Sequence, residues 1–179
     1  LQCKGCNGAI LVDPGLLHSL TRPLSAKLVS KSSDQTRAIG RALGENVRPG
    51  DLVLLEGDLG AGKTCLTQGI FWGLGGTEYA RSPTFVLMTQ YEARLTLYHV
   101  DLYRIESAVD LAGLGLDEVI SGDGVTVVEW AERAEGLFGD EGLLVRLEHA
   151  GDDTRVLRLS AKTEHYSSAI DAALSVVGA

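Results

Sequence analysis

Residues 57–64 have the types and spacing of a phosphate-binding loop (P-loop). They read Gly-Asp-Leu-Gly-Ala-Gly-Lys-Thr, which matches G-x-x-x-x-G-K-[S/T] in full. Glycines let the backbone wrap a phosphate closely, and the positive end of a following helix attracts anions. We expect Lys63 to reach the terminal phosphates and the Thr64 hydroxyl to bind magnesium. A glycine-rich turn with an ordinary surface lysine is the alternative. The predicted nucleotide contacts along the loop are Asp58, Leu59, Gly60, Ala61, Gly62, Lys63, Thr64 and Cys65.

Two carboxylates that end apolar runs are candidates for the metal site and the reaction. Asp101 follows residues 97–100, and Glu129 follows residues 125–128. Open α/β sheets place their ligands at the carboxyl ends of strands, and P-loop proteins commonly hold magnesium with such an acid. We assign Asp101 to magnesium and Glu129 to the attacking water, with the opposite division also open. Either side chain could instead be an ordinary strand-end acid that meets solvent. The predicted catalytic residues are Lys63, Asp101 and Glu129, and the predicted metal ligands are Thr64, Asp101 and Glu129.

Base recognition has only negative evidence in the sequence. The N-K-x-D segment that guanine-reading GTPases carry does not occur, so adenine is favoured and the expected cofactors are ATP and Mg²⁺. Arg81, Arg104 and Arg133 are candidates for contacts with a phosphate or a partner. For each of them, a solvated surface arginine is an equally good interpretation.

The elements that must position these residues alternate between strands and helices. The apolar run 52–55, bounded by turn residues, is typical of a parallel strand covered on both faces. Turn residues at 151–153 indicate a closing hairpin. The fold class is therefore α/β: a P-loop NTPase-like, mostly parallel sheet flanked by helices, with antiparallel hairpin additions. Predicted strands are 27–31, 52–55, 84–91, 95–101, 125–128, 143–148 and 155–159; predicted helices are about 34–48 after an N-cap at Ser32 or Ser33, 63–74, 109–119 with interruptions at Gly113 and Gly115, 131–137 and 164–176.

The first part of the chain lacks a clear hydrophobic period. We interpret residues 1–26 as a poorly ordered N-terminal extension and residues 27–179 as a single P-loop ATPase domain. Cys3 and Cys6 form a lone C-x-x-C, whereas structural zinc needs four ligands, so a metal site there is disfavoured.

Composition excludes several classes of protein. Apolar residues make up 45% of the chain and charged residues 22%, and no apolar run approaches the roughly 20 residues that span a bilayer. The early apolar run 9–12 is too short for a signal peptide, so we expect a cytoplasmic protein without membrane contact. With 16 basic and 24 acidic residues the net charge is −8, so we do not expect the chain to bind nucleic acid without a partner. Any role in RNA chemistry would therefore need a partner.

Four segments together resemble the TsaE family in order and spacing. They are the P-loop 57–64, Ser-Pro-Thr-Phe at 82–85, His-Val-Asp-Leu-Tyr-Arg at 99–104 and Val-Glu-Trp at 128–130. The resemblance covers roughly residues 30–160. TsaE is the ATPase of bacterial tRNA threonylcarbamoyladenosine synthesis, so the resemblance implies an accessory ATPase that works with TsaB and TsaD and meets tRNA only indirectly. Its hydrolysis is thought to reset the partner complex between rounds.

The resemblance also implies roles for particular residues. Thr84 would make a switch-like contact near the γ-phosphate or metal, Asp101 and Glu129 would be essential acids, and Trp130 would lie beside the nucleotide. Without the resemblance, we would interpret Thr84 as part of a capped turn and Trp130 as a core aromatic. Many relatives carry a second Thr after the P-loop Thr, where this chain has Cys65, and we expect little effect because Thr64 already supplies the metal hydroxyl.

Two other functions share the P-loop. A small kinase that phosphorylates a metabolite would need an arginine-rich lid, and no such segment is visible between residues 105 and 160. A non-enzymatic ATP-dependent switch would signal by conformation and bind a partner in a nucleotide-dependent way. A phosphorylated product would indicate the kinase, and partner-independent slow hydrolysis would indicate the switch.

Overall fold

The chain folds as a seven-stranded sheet with helices on its faces. A computed structural model describes residues 24–106, 110, 111, 113, 115–134 and 136–178. The strands are β1 (Leu24–Ser30), β2 (Leu52–Glu56), β3 (Met88–Tyr91), β4 (Leu97–Asp101), β5 (Val125–Glu129), β6 (Leu143–His149) and β7 (Arg155–Ala161). The helices are α1 (Ser33–Asn46), α2 (Lys63–Gly73), α3 (Leu116–Ile120) and α4 (Ser167–Val177), with 3₁₀ turns at Ala131–Ala134 and Glu164–Tyr166.

The order of the strands is β1-β7-β6-β2-β5-β4-β3. The pairs β6-β2, β2-β5 and β5-β4 are parallel, whereas β3 and β7 run antiparallel to their neighbours. Five strands therefore share one direction, and the predicted mostly parallel α/β sheet with a closing hairpin is confirmed. Glu129 lies in register with Leu55 on one side and with Asp101 on the other. Parallel pairing thus brings the end of β2, where the P-loop starts, and both predicted acids together at the edge formed by the carboxyl ends of the strands.

The core has two layers, one on each face of the sheet. Side chains alternate between faces along a strand, so Val127 packs into one hydrophobic cluster and Val128 into the other. The larger cluster joins the sheet to α1, α2 and α4, and the smaller one joins it to α3 and the first 3₁₀ turn. This burial on both faces explains why β2 and β5 read as continuous apolar runs.

Helix α1 fixes the P-loop helix α2 through glycines. A Cβ on Gly40 would lie 2.3 Å from the carbonyl oxygen of Leu66, and one on Gly44 would lie 2.1 Å from that of Ile70. Gly69 and Gly73 of α2 meet the α1 backbone just as closely, at 2.2 Å in both cases. Real side chains cannot occupy such gaps, so glycine at these four positions lets the two backbones touch. The backbones of α1 and α2 therefore lie in direct contact, and their apolar side chains pack together in the larger cluster.

Several predicted boundaries are corrected by local contacts. The first strand begins at Leu24, inside the predicted extension 1–26, because Leu24 pairs with Ala161 and packs against the core. Ser32 is the N-cap of α1 and accepts a hydrogen bond from the Gln35 N–H at 3.1 Å. Cys3 and Cys6 lie outside the described residues.

The predicted strand 84–91 is wrong in its first half. Strand β3 starts only at Met88, because the N–H groups of Val86 and Leu87 turn back to the Pro83 carbonyl and Leu87 has a φ of 64°. The predicted interruptions of helix 109–119 at Gly113 and Gly115 are confirmed, since both are turn residues. Gly115, with a φ of 60°, is the N-cap of the short α3, which continues to Ile120. Among the described residues, no helix is long and apolar enough to cross a membrane.

Candidate functional site

The P-loop has a backbone that only glycine can follow. Gly57 has a φ of 133°, and a Cβ there would lie 2.2 Å from the Leu147 carbonyl oxygen. Gly60 and Gly62 also have positive φ values, of 79° and 108°, and Gly62 is the N-cap of α2. The loop therefore curls tightly before the helix and directs the first free N–H groups of α2 outward, as a phosphate requires. Ala61 is buried behind the loop, and Leu59 is 74% exposed.

Lys63 lies folded back along the loop. Its Nζ donates to the Gly57 carbonyl and, at 3.0 Å, to that of Asp58, and it lies 3.5 Å from the centre of the Trp130 ring. Burial lowers the pKa of the Lys63 amine, while the surrounding carboxylates, with Glu129 foremost, act in the opposite direction. This ammonium is thus held in a confined place where an anionic ligand would stabilise its charge.

Glu129 connects the P-loop helix to the neighbouring strand. Its Oε2 accepts from the Thr64 hydroxyl at 2.9 Å, and its Oε1 lies 3.2 Å from the Thr67 hydroxyl and 2.7 Å from Nε2 of His99. The Glu129 residue is only 2% exposed. A buried carboxylate needs such partners because desolvating it alone would be costly. Of the two predicted acids, it is therefore Glu129 that contacts the Thr64 hydroxyl.

Asp101 organises a different part of the site. Its Oδ2 accepts from the hydroxyls of Ser82 and, at 2.5 Å, of Thr84, and its Oδ1 accepts from the Tyr103 N–H at 2.9 Å. Asp101 is 2% exposed. These bonds hold the segment that carries Ser82 and Thr84 against the end of β4. The carboxylate therefore fixes a loop beside the P-loop.

Trp130 has an unusual backbone that directs its ring to the P-loop. It follows β5 directly and has a φ of 62°, a conformation that bulky residues seldom adopt. Its ring lies over Lys63 and contacts the Tyr103 ring, with centroids 5.0 Å apart. Trp130 is thus part of the wall of this site and not simply a core aromatic.

The three candidate arginines lie outside the cleft lining. Arg104 stacks on the Phe85 ring at 4.3 Å, and Arg133 donates to the Ile105 carbonyl at 3.1 Å. Arg81 is exposed. Arg133 lies close to the lining, with its guanidinium carbon 5.7 Å from the centre of the Trp130 ring.

These elements surround a cleft of about 330 Å³ at the sheet edge. The cleft unites most of the predicted residues and adds Ser82 and Tyr103, which carried no predicted ligand role. Thr67 and His99 lie behind it and were also missed. Helical spacing from Lys63 to Thr67 and strand alternation from Asp101 to His99 are the signals that could have indicated them. The lining residues are Leu59, Gly60, Gly62, Lys63, Thr64, Cys65, Ser82, Thr84, Asp101, Tyr103, Glu129 and Trp130.

The polar group of Cys65, which follows the P-loop threonine, is paired. Its thiol donates to the Ser33 carbonyl at 3.2 Å, linking α2 to the start of α1. Burial raises the pKa of the Cys65 thiol, and the positive charges of Arg37 and Arg155 oppose the shift. The residue therefore remains a protonated thiol in the first turn of the P-loop helix.

The chemistry of the cleft fits a magnesium nucleotide. Within the part of the chain that the structure describes, no group of three or more His, Cys, Asp or Glu side chains could hold a metal by itself. Magnesium is usually held by one or two protein oxygens together with substrate phosphates and water, which is what Thr64 and Glu129 can offer. The loop geometry and the confined ammonium of Lys63 supply the complementary phosphate site.

A mostly parallel sheet that carries this loop between a central strand and a helix defines a protein of the P-loop class. The family model described as threonylcarbamoyl adenosine biosynthesis protein TsaE matches residues 30–157. The chain belongs to the TsaE family.

Individual relatives agree with this assignment over most of their length. The tRNA threonylcarbamoyladenosine biosynthesis protein TsaE of Bacillus subtilis is 42% identical over 134 residues, 74% of this chain and 84% of that protein. The protein of the same name from Treponema pallidum is 38% identical over 134 residues, 75% of this chain and 99% of its own. The crystal structure of Bacillus subtilis YdiB superposes with a TM-score of 0.70 at 35% identity, covering 87% of this chain and 97% of that one.

Proposed function

We propose that this protein binds ATP with Mg²⁺ and hydrolyses it as an accessory component of tRNA threonylcarbamoyladenosine biosynthesis in the cytoplasm. The observation that carries the proposal is the contact between the P-loop Thr64 and the buried Glu129, at 2.9 Å, beside a glycine-built phosphate cradle. Family membership supplies the pathway, because the relatives are named for it.

The contacts favour one division of labour between the two acids. Glu129 and Thr64 would hold the metal and its water, since their oxygens already lie together. Asp101 would hold Thr84 beside the γ-phosphate, because its Oδ2 bonds that hydroxyl. This differs from the first assignment from sequence, which gave magnesium to Asp101 and the attacking water to Glu129. Bound magnesium would neutralise phosphate charge during hydrolysis.

Lys63 and Trp130 would act at the phosphates. With a nucleotide bound, the Lys63 ammonium would exchange its bonds to the Gly57 and Asp58 carbonyls for charge-assisted bonds to phosphate oxygens. The Trp130 ring lies over the ammonium and excludes water from one side of it. Asp58, Leu59, Gly60, Ala61, Gly62 and Cys65 would contribute backbone to the cradle.

We further propose that activity depends on a partner complex of TsaB and TsaD. Phe85 and Val86, next to Thr84, are 84% and 68% exposed, and Leu59 on the P-loop is 74% exposed. Exposed apolar side chains that form a patch are typical of a protein-binding surface, and Phe85 and Val86 are adjacent in the chain. The charge of −8 disfavours direct tRNA binding, so partners would contact the tRNA.

Equilibrium binding of ATP and GTP, with and without Mg²⁺, tests the nucleotide site. Replacing Lys63 by Ala removes charge-assisted bonds of about 1.5–3 kcal/mol, so ATP affinity should fall by about 10- to 150-fold. Lys27→Ala, on the exposed edge strand β1, is the matched control and should bind normally. Equal ATP affinity in all three proteins would refute the nucleotide site, and tighter binding of GTP would refute the choice of base.

A further inference from the structure

His99 is a buried histidine that the proposed function does not use. It lies on β4, is 0% exposed, and bonds Oε1 of Glu129 through Nε2 at 2.7 Å. His99 pairs with Val127 across the parallel β4-β5 ladder, two residues before the Asp101–Glu129 pair. Since side chains alternate along a strand, this register places His99 on the face of the sheet that carries Glu129 and helix α2.

The second donor to Oε1 of Glu129, the Thr67 hydroxyl, is shared with another acceptor. The Thr67 hydroxyl has one proton and lies within reach of two acceptors, the Lys63 carbonyl at 3.1 Å and Oε1 of Glu129 at 3.2 Å. Nε2 of His99 lies closer to Oε1 than the Thr67 hydroxyl does, at 2.7 Å. The Nδ1 atom of His99 is buried without a partner among the described residues. A ring with one such partner is expected to carry its proton on Nε2, where the acceptor is, because a buried N–H left unpaired on Nδ1 would be costly.

We propose that His99 is a positioning residue, which donates its Nε2–H to Oε1 of Glu129 and thereby turns Oε2 toward Thr64 and the cleft. The proposal rests on the proposed function for its catalytic consequence. It assigns the two carboxylate oxygens different tasks: Oε1 is anchored inside the protein, and Oε2 is presented to the magnesium site. Without this anchor, the Glu129 side chain could rotate and offer the metal a poorly placed oxygen.

Three variants distinguish an effect on the orientation of Glu129 from a general loss of folding stability. His99→Leu removes the donor, whereas His99→Gln keeps an amide N–H at a similar distance from the backbone. His165→Leu is the matched control, because His165 also bonds a carboxylate, that of Asp51, at 2.5 Å. Asp51 lies just before the start of β2, at the opposite end of the sheet from Glu129. Each variant is tested for folding by thermal denaturation, for ATP affinity with and without Mg²⁺, and for single-turnover hydrolysis with the partner proteins.

His99→Leu should lower the turnover rate and the gain in ATP affinity from Mg²⁺ by about 10- to 100-fold, as loss of a ligand-orienting bond usually does. Metal-free ATP affinity should stay within about twofold of wild type, and His99→Gln should recover most of both losses. Normal turnover and normal magnesium dependence in a folded His99→Leu would overturn the proposal. So would a His99→Gln variant no better than the leucine variant.

One measurement needs neither a variant nor activity. Nitrogen-15 NMR of the wild-type protein without nucleotide should show His99 protonated at Nε2 with a hydrogen-bonded proton. A proton on Nδ1 instead would overturn the proposal even if the leucine variant did not fold. If wild type hydrolyses no ATP, the proposed function fails, but the NMR result and the magnesium dependence of binding still decide the role of His99.

Discussion

Replacing Gly44 by Ala tests whether backbone contact between α1 and α2 holds the P-loop in place. The new Cβ would lie 2.1 Å from the Ile70 carbonyl oxygen and 2.9 Å from two further backbone atoms of Ile70. Relieving this overlap fully requires the helices to separate by about 1.4 Å at this point, since non-bonded atoms prefer about 3.5 Å or more. Overpacking of this kind costs about 1–3 kcal/mol, and the better helix propensity of Ala offsets about 0.5–1 kcal/mol of it.

Taking the middle of both ranges, the net loss of stability is about 1.3 kcal/mol, which corresponds to a fall in Tm of about 3–5 °C for a chain of this size. Thermal denaturation followed by circular dichroism measures it. ATP affinity should fall as well, because α2 begins at Lys63 and moves with the contact. Gly178→Ala is the control, since a Cβ there would meet only the Leu174 carbonyl, at 3.6 Å. An unchanged or raised Tm for Gly44→Ala would refute this account of the helix pair.

Further predictions concern the acid and a buried tyrosine. Glu129→Ala should keep metal-free ATP affinity but lower turnover by about 10²-fold or more, because its role lies in the metal-dependent step; lost affinity with turnover of the bound fraction intact would contradict it. Burial raises the pKa of the Tyr166 phenol to about 12. The hydrogen bond with the Leu52 backbone acts in the opposite direction, and the negative charge of Asp51 adds to the increase. Because this pKa lies above the unfolded value near 10, the stability from the neutral phenol is complete below about pH 10 and is lost as pH rises through about 12. Urea denaturation should show the advantage of wild type over Tyr166→Phe shrinking by up to about 2.7 kcal/mol across that window, and a constant difference would contradict it.

Motifs in the sequence predicted which residues lie together where the prediction depends on local spacing. The P-loop 57–64 and the strand-end acids Asp101 and Glu129 meet at one edge because parallel strands place their carboxyl ends together. That consequence needs only the fold class, which the buried apolar runs indicated.

The missed features depend on contacts between distant segments. Thr67 and His99 contribute to the site only because α2 and β4 lie on either side of Glu129, 62 and 30 residues away in sequence. The turn at Pro83 replaced a predicted strand because Asp101 binds the Ser82 and Thr84 hydroxyls, which apolar periodicity does not reveal. The close α1–α2 contact likewise required knowing that Gly40 and Gly44 face another helix.

ATP hydrolysis by the purified protein with Mg²⁺, alone and with TsaB and TsaD, tests the central claim most directly. The account predicts slow hydrolysis by the protein alone and a clear rise when both partners are present. ADP and inorganic phosphate should be the only products, and Glu129→Ala should abolish the rise. Hydrolysis that is indifferent to the partners, or transfer of the phosphate to a metabolite, would contradict it.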